Sequence, residues 1–85
     1  MSRLGRLIER IRRRPAEADY SDVRRLLHGC GWQEDRQQGS HGTFVKAGEL
    51  PIVIPLVGGR KVKRVYLDQV CDALRLDDWK EEGSP

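Results

Sequence analysis

Three stripes of apolar residues at helical spacing, with one alternating, glycine-punctuated stretch between the second and the third, limit the folds open to this chain. Leu4, Leu7, Ile8 and Ile11 form the first stripe, arginines fill the opposite face, and Pro15 stops the pattern. Residues 15–20 read as a linker. Ser21 is a favourable N-cap for a second helix whose Val23, Leu26, Leu27 and Cys30 make one stripe ending at Gly29 and Gly31. Residues 32–37, 42–47 and 51–55 then read as three short strands, their alternation visible in Ile52 and Ile54 and in Phe44 set against Thr43 and Val45. After the Gly58-Gly59 loop, Leu67, Val70, Cys71 and Leu74 give a last helix that runs out near Leu76, and the tail from Asp77 reads as polar and frayed. This segregated order predicts an α+β fold: a three-stranded antiparallel sheet with helices on one face, plus an extra N-terminal amphipathic helix.

At 85 residues the chain supports one small core, so no second catalytic domain is expected. Cys30 and Cys71 lie far apart with no Cys-x-x-Cys pair, which suggests reduced thiols rather than a zinc site or a disulfide framework. The apolar run at 51–57 is far short of a membrane span, and arginines break the N-terminal apolar residues where a signal peptide needs an uninterrupted block. A cytoplasmic protein with no membrane partner is the expectation.

The net charge of +3 is unevenly spread. Residues 1–14 hold six arginines and one glutamate, so the rest of the chain is net acidic. Arg60, Lys61, Lys63 and Arg64 form a second basic cluster, whereas residues 68–82 hold six acids against Arg75 and Lys80. Two local basic patches suit a polyanion met over part of the surface, or else are ordinary solvated faces.

Residues 36–43, Arg-Gln-Gln-Gly-Ser-His-Gly-Thr, concentrate glycine, a hydroxyl and an imidazole between two predicted strands. Histidine titrates near neutrality, so His41 at a turn is a natural proton-transfer group. Taken without further context the same residues read as a tight hairpin turn with His41 hydrogen-bonded at a strand start.

From Tyr20 to Leu76 the sequence resembles the HicA toxin family, small ribonucleases (mRNA interferases) of type II toxin–antitoxin modules. The carrying residues are 21–27 as the first core helix, Gly31-Trp32 where the family usually has Gly-Phe, the 36–41 run, which is similar to its Arg-Gln-x-Gly-Ser-His signature, Pro55, and the 67–74 helix. The chain departs from the pattern at Gly42, where the family often carries a bulky or basic residue, and in its extra helix over Arg3 to Arg14. The resemblance implies a double-stranded-RNA-binding-like fold, a catalytic histidine at His41, and a HicB-like antitoxin that covers the active face. It divides the chain into a basic helix over residues 1–15, a HicA-like domain over 20–76 and an acidic tail over 77–85.

RNA cleavage needs a base for the 2′-OH, an acid for the leaving 5′-oxygen and positive charge at the phosphate. His41 can supply one proton transfer; Ser40 and the backbone N–H groups of Gly39 and Gly42 can support it. Arg36, Lys46 and the Arg60, Lys61, Lys63 and Arg64 cluster are candidate RNA contacts. His28, late in a helix, reads as a surface residue. No carboxylate stands at ligand spacing from His41, so metal-independent chemistry without a cofactor is expected. The leading expectation is an endoribonuclease toxin acting on mRNA; the alternatives are a noncatalytic RNA-binding module of the same fold, and a protein-binding subunit that docks through its N-terminal helix.

Overall fold

The computed structural model describes residues 2–38 and 41–79, with residues 36–38 described by their backbone alone. The first helix, α1 (Arg3–Arg12), starts where the Ser2 hydroxyl accepts the Gly5 N–H at 2.9 Å. Its apolar stripe faces inward: Leu7, Ile8 and Ile11 are buried, and Ile8 and Ile11 belong to the same cluster as the side chains of the sheet and the other helices. The stripe therefore finds its burial on this domain.

A short strand β1 (Glu17–Asp19) leads into α2 (Tyr20–Gly29), which buries Tyr20, Val23, Leu26 and Leu27. Three antiparallel strands follow, β2 (Gln33–Gln38), β3 (His41–Val45) and β4 (Ile52–Pro55), in the order β2-β3-β4. Burial alternates along β3 and β4, with Phe44, Ile52 and Ile54 inward and Val53 half exposed, as a sheet covered on one face requires. Strand β5 (Lys61–Lys63) runs into α3 (Arg64–Leu74), which buries Leu67, Val70 and Cys71 and ends at Arg75 in the left-handed region. Trp32 is 2 % exposed and serves the core. The mixed α+β fold is as expected, and the α2–β2–β3–β4–α3 order is compatible with a double-stranded-RNA-binding-like fold.

The structure corrects the sequence reading in three places. Part of the supposed linker before α2 and part of the second basic cluster are strands: β1 and β5 pair antiparallel, with Ala18 opposite Val62, as a second, two-stranded sheet. That pairing also moves the start of α2. Its cap residue is Asp19, not Ser21, because the Tyr20 N–H donates to the Arg60 carbonyl at 2.8 Å and carries the helix start back to the strand end. Asp19 makes no side-chain cap; its carboxylate binds Lys61.

Third, the polar tail is ordered at its root. A 3-10 turn at Leu76–Asp78 buries Leu76 and packs Trp79 against the core. Asp77 accepts two hydrogen bonds from the Arg14 guanidinium, at 3.1 and 3.0 Å, and Asp68 accepts a third at 2.6 Å. Arg14 itself stands at φ 53°, and its carbonyl accepts from Arg64 Nε at 2.9 Å. One residue thus ties the end of α1 to both ends of the last helix.

Because Ile8 is fully buried, Ile8→Ala should cost about 2–5 kcal/mol through lost transfer energy and the cavity left behind. Deleting residues 1–14 should abolish cooperative unfolding altogether. Urea denaturation followed by circular dichroism checks both; a truncated chain that melts like the parent would show that α1 is dispensable to the core.

Candidate functional site

His41 is the first residue of β3, exposed, on the face of the sheet opposite the buried Gly42 and Phe44. It stands opposite Pro55 of β4 and Gln38 of β2 in register. The turn that carries Gly39 and Ser40 lies outside the described residues, and Arg36 is placed by its backbone alone, opposite Thr43.

Two residues beyond Pro55, Val57 opens a tight turn: its N–H donates to the Lys61 carbonyl at 2.8 Å, and its carbonyl accepts from both Arg60 and Lys61 at 3.1 Å. Gly58 and Gly59 occupy positive φ of 61° and 70°, which lets the chain reverse in so few residues. The turn faces the start of α2 across an open cleft of about 700 Å³, lined by Asp19, Tyr20, Ser21 and Arg24 on one side and residues 57–61 on the other. His41 is not among the lining residues; it marks the outward face at the same end of the sheet, next to Gly42, whose backbone the cleft residue Tyr20 touches.

The predicted basic residues fare differently. Arg60 and Lys61 reach this cleft, but Lys61 is engaged by Asp19, an interaction that raises the lysine pKa and lowers that of the carboxyl. Lys63 and Arg64 stand exposed at the β5–α3 junction, with Arg64 partly committed to the Arg14 carbonyl. Among the described residues Arg60 and Lys63 make no ion pair. Lys46 lies at the far end of β3 from His41, and its ammonium donates to the Cys30 carbonyl at 3.1 Å, where it complements the C-terminus of α2. The structure therefore gives Lys46 a helix-capping contact away from the histidine. His28 is exposed in the last turn of α2.

Sequence reasoning overlooked Tyr20, Arg24 and Glu34. Tyr20 OH donates to Glu34 Oε2, its ring centroid lies 6.0 Å from that of Phe44, and Arg24 stands 5.8 Å above it while approaching Glu34 at 3.8 Å. Gly42 is the reason the tyrosine fits: a Cβ there would fall 2.8 Å from Cζ and 2.9 Å from Cε1 of the ring. The only trace of this in the sequence is the glycine after the histidine, and it points to no partner.

Burial and the alternating sheet leave one outward face with an exposed histidine at its end, and among the described residues no three His, Cys, Asp or Glu side chains converge to hold a metal. No helix is long and apolar enough to cross a membrane. The fold and the site define a small α+β domain with a basic turn at the histidine end of its outward face.

The comparison with known families narrows that class. The family described as HicA toxin of bacterial toxin-antitoxin matches residues 20–82, most of the chain, and the chain belongs to it. It is thus the toxin of a toxin–antitoxin module, and an antitoxin is its implied partner. The match begins at the first residue of α2, so α1 stands outside it. No curated protein and no solved structure matches the chain.

Asp19 holds its pKa below the ordinary carboxylate value in the folded chain because of Lys61, so its stabilising contribution is complete above the ordinary value and disappears as pH falls through the lowered one. Asp19→Asn should therefore weaken the protein at pH 7, and the difference should shrink as pH falls below the ordinary carboxylate range. Chemical denaturation of both proteins across that range measures the gap, and a gap independent of pH would exclude the ion pair as its source.

Proposed function

We propose that this toxin is a metal-independent endoribonuclease that cleaves mRNA through His41, and that a HicB-like antitoxin silences it by covering the face on which His41 stands. The observation that carries the reading is the exposed imidazole at the first position of β3, at the end of the sheet from which the basic 57–61 turn springs. The family match supports the toxin role, and the resemblance of the 36–41 run to the family's signature supports the assignment of His41.

In this reading His41 exchanges one proton in the cleavage step. The 2′-oxygen of the RNA attacks the neighbouring phosphorus as its proton leaves, the P–O5′ bond breaks, and the 5′-oxygen departs with a proton. The products are a 2′,3′-cyclic phosphate and a 5′-hydroxyl. Arg60 and Lys63, exposed and without ion-pair partners among the described residues, hold the phosphates on either side; the contact reads backbone shape and 2′-OH groups rather than base sequence. Ser40 and the Gly39 N–H, outside the described residues, are the proposed donors to the phosphate oxygens as charge builds up. Arg36, Lys61 and Arg64 are secondary contacts, the last two after release from Asp19 and the Arg14 carbonyl. A cytoplasmic location suits the mRNA substrate.

His41→Ala should lower RNA cleavage by about 10²- to 10⁴-fold while the thermal midpoint stays within a few degrees, because an exposed side chain supplies proton transfer and little packing. Cleavage of a labelled transcript, with product ends mapped, gives the result. Undiminished cleavage would remove the histidine from the chemistry, and binding without any cleavage by the parent would favour a noncatalytic RNA-binding module.

Replacing Arg60 and Lys63 together with alanine should weaken binding of the RNA and lower the slope of log K against log salt by about one per lost phosphate contact. An unchanged slope in a filter-binding titration would move the RNA elsewhere on the surface.

A further inference from the structure

We propose that Tyr20 is a positioning residue for His41, acting from the buried side of the sheet as a lock on the register of β2 and β3. The proposal rests on His41 being the proton-transfer group and adds how its place is fixed.

The place of His41 depends on two things: where the first two residues of β3 lie, and which residue of β2 stands opposite them. Tyr20 touches both. Its ring lies against the backbone of Gly42, so closely that no side chain fits there. Its hydroxyl donates to Glu34, the residue at which the pairing of the two strands becomes irregular. Glu34 stands opposite Phe44, but the next partner of the strand, Thr43, is Arg36. Asp35 is thus the extra residue of a bulge. From there onward the register is displaced by one, so that Gln38 rather than Gln37 stands opposite His41.

A displacement by one residue exchanges the two faces of a strand, so a bulge that moves or vanishes would present a different set of β2 residues beside the imidazole. The bulge sits where a side chain can pin it. Tyr20 is itself pinned: its N–H is held by the Arg60 carbonyl, its ring by Phe44, and it is 5 % exposed. Burial, reinforced by the Glu34 carboxylate, pushes the phenol pKa up, so the hydroxyl stays a donor across the working range of pH. The lock also joins the histidine end of the sheet to the 57–61 turn, because Tyr20 binds the carbonyl of the arginine proposed to hold phosphate.

The test uses the full chain with three changes: Tyr20→Phe, which removes the hydroxyl and keeps the ring; Gly42→Ala, which forces the ring away; and Gly42→Ala combined with Tyr20→Leu, which relieves the overlap. Steady-state cleavage of a model RNA is read together with amide hydrogen exchange and the cross-strand NMR contacts between residues 37–38 and 41. Tyr20→Phe is expected to lower kcat by about tenfold or more with KM within about twofold, since small displacements of a reacting group are costly. Exchange at residues 41–43 should quicken while that of α1 and α3 stays parental. Gly42→Ala should behave likewise, and the double variant should recover part of the lost kcat.

Parental kcat and parental exchange in Tyr20→Phe would overturn the proposal, as would a loss of protection spread evenly over all elements. If the parent chain cleaves no RNA, the nuclease reading fails on its own, and the exchange and register measurements still decide: loosening confined to residues 41–43 upholds the lock, and an unaltered β2–β3 register and exchange rejects it.

Discussion

Ile8 and Ile11 close the hydrophobic core from the N-terminal side, and the arrangement of everything else follows from that closure. In so small a domain the fraction of surface that folding can bury is limited, and two fully buried isoleucines are a substantial share of it. To bring them in, α1 must end beside α3, and the chain turns there through Arg14 in a left-handed conformation with its guanidinium spread over Asp68 and Asp77. Arg14 of the basic N-terminal block and Asp68 and Asp77 of the acidic C-terminal stretch, which look unrelated in the sequence, are partners in space. Arg10 pairs with Asp22 and Arg12 with Glu9, so only part of the positive charge of α1 is offered to solvent.

How much of this was legible depended on whether the signal was local. The stripes of Val23, Leu26 and Leu27 and of Leu67, Val70 and Cys71 announce helices because each helix satisfies its own backbone, and the burial of one face repeats every three or four residues. The Ile52 and Ile54 alternation is equally local. Strands β1 and β5 were not legible: Glu17, Ala18 and Asp19 carry no strand character of their own and become a strand only by pairing with residues more than forty positions away. The same distant pairing displaced the helix cap from Ser21 to Asp19. A third signal was ambiguous, for Lys46 is a basic residue near a glycine-rich stretch, and nothing in the sequence distinguishes a phosphate contact from the helix-end carbonyl it actually meets.

For the site, the sequence picked out His41 but not its setting. The exposed face follows from strand alternation once β3 is known to begin at residue 41, yet the tyrosine behind it comes from another element, and the bulge that sets the pairing leaves no mark in composition or spacing. The sheet separates two tasks by its thickness. Its outward face carries the exposed His41; its inward face carries Gly42, Phe44 and their contact with Tyr20.

The Arg14 junction bears on how such a toxin comes into being. Ile8 and Ile11 share their core with Leu67, Val70 and Leu76, and Arg14 is held by Asp68 and Asp77 across 54 and 63 positions of sequence. Because the chain must close long loops before contacts so distant in sequence can form, α1 has no finished surface to dock on until α3 is in place.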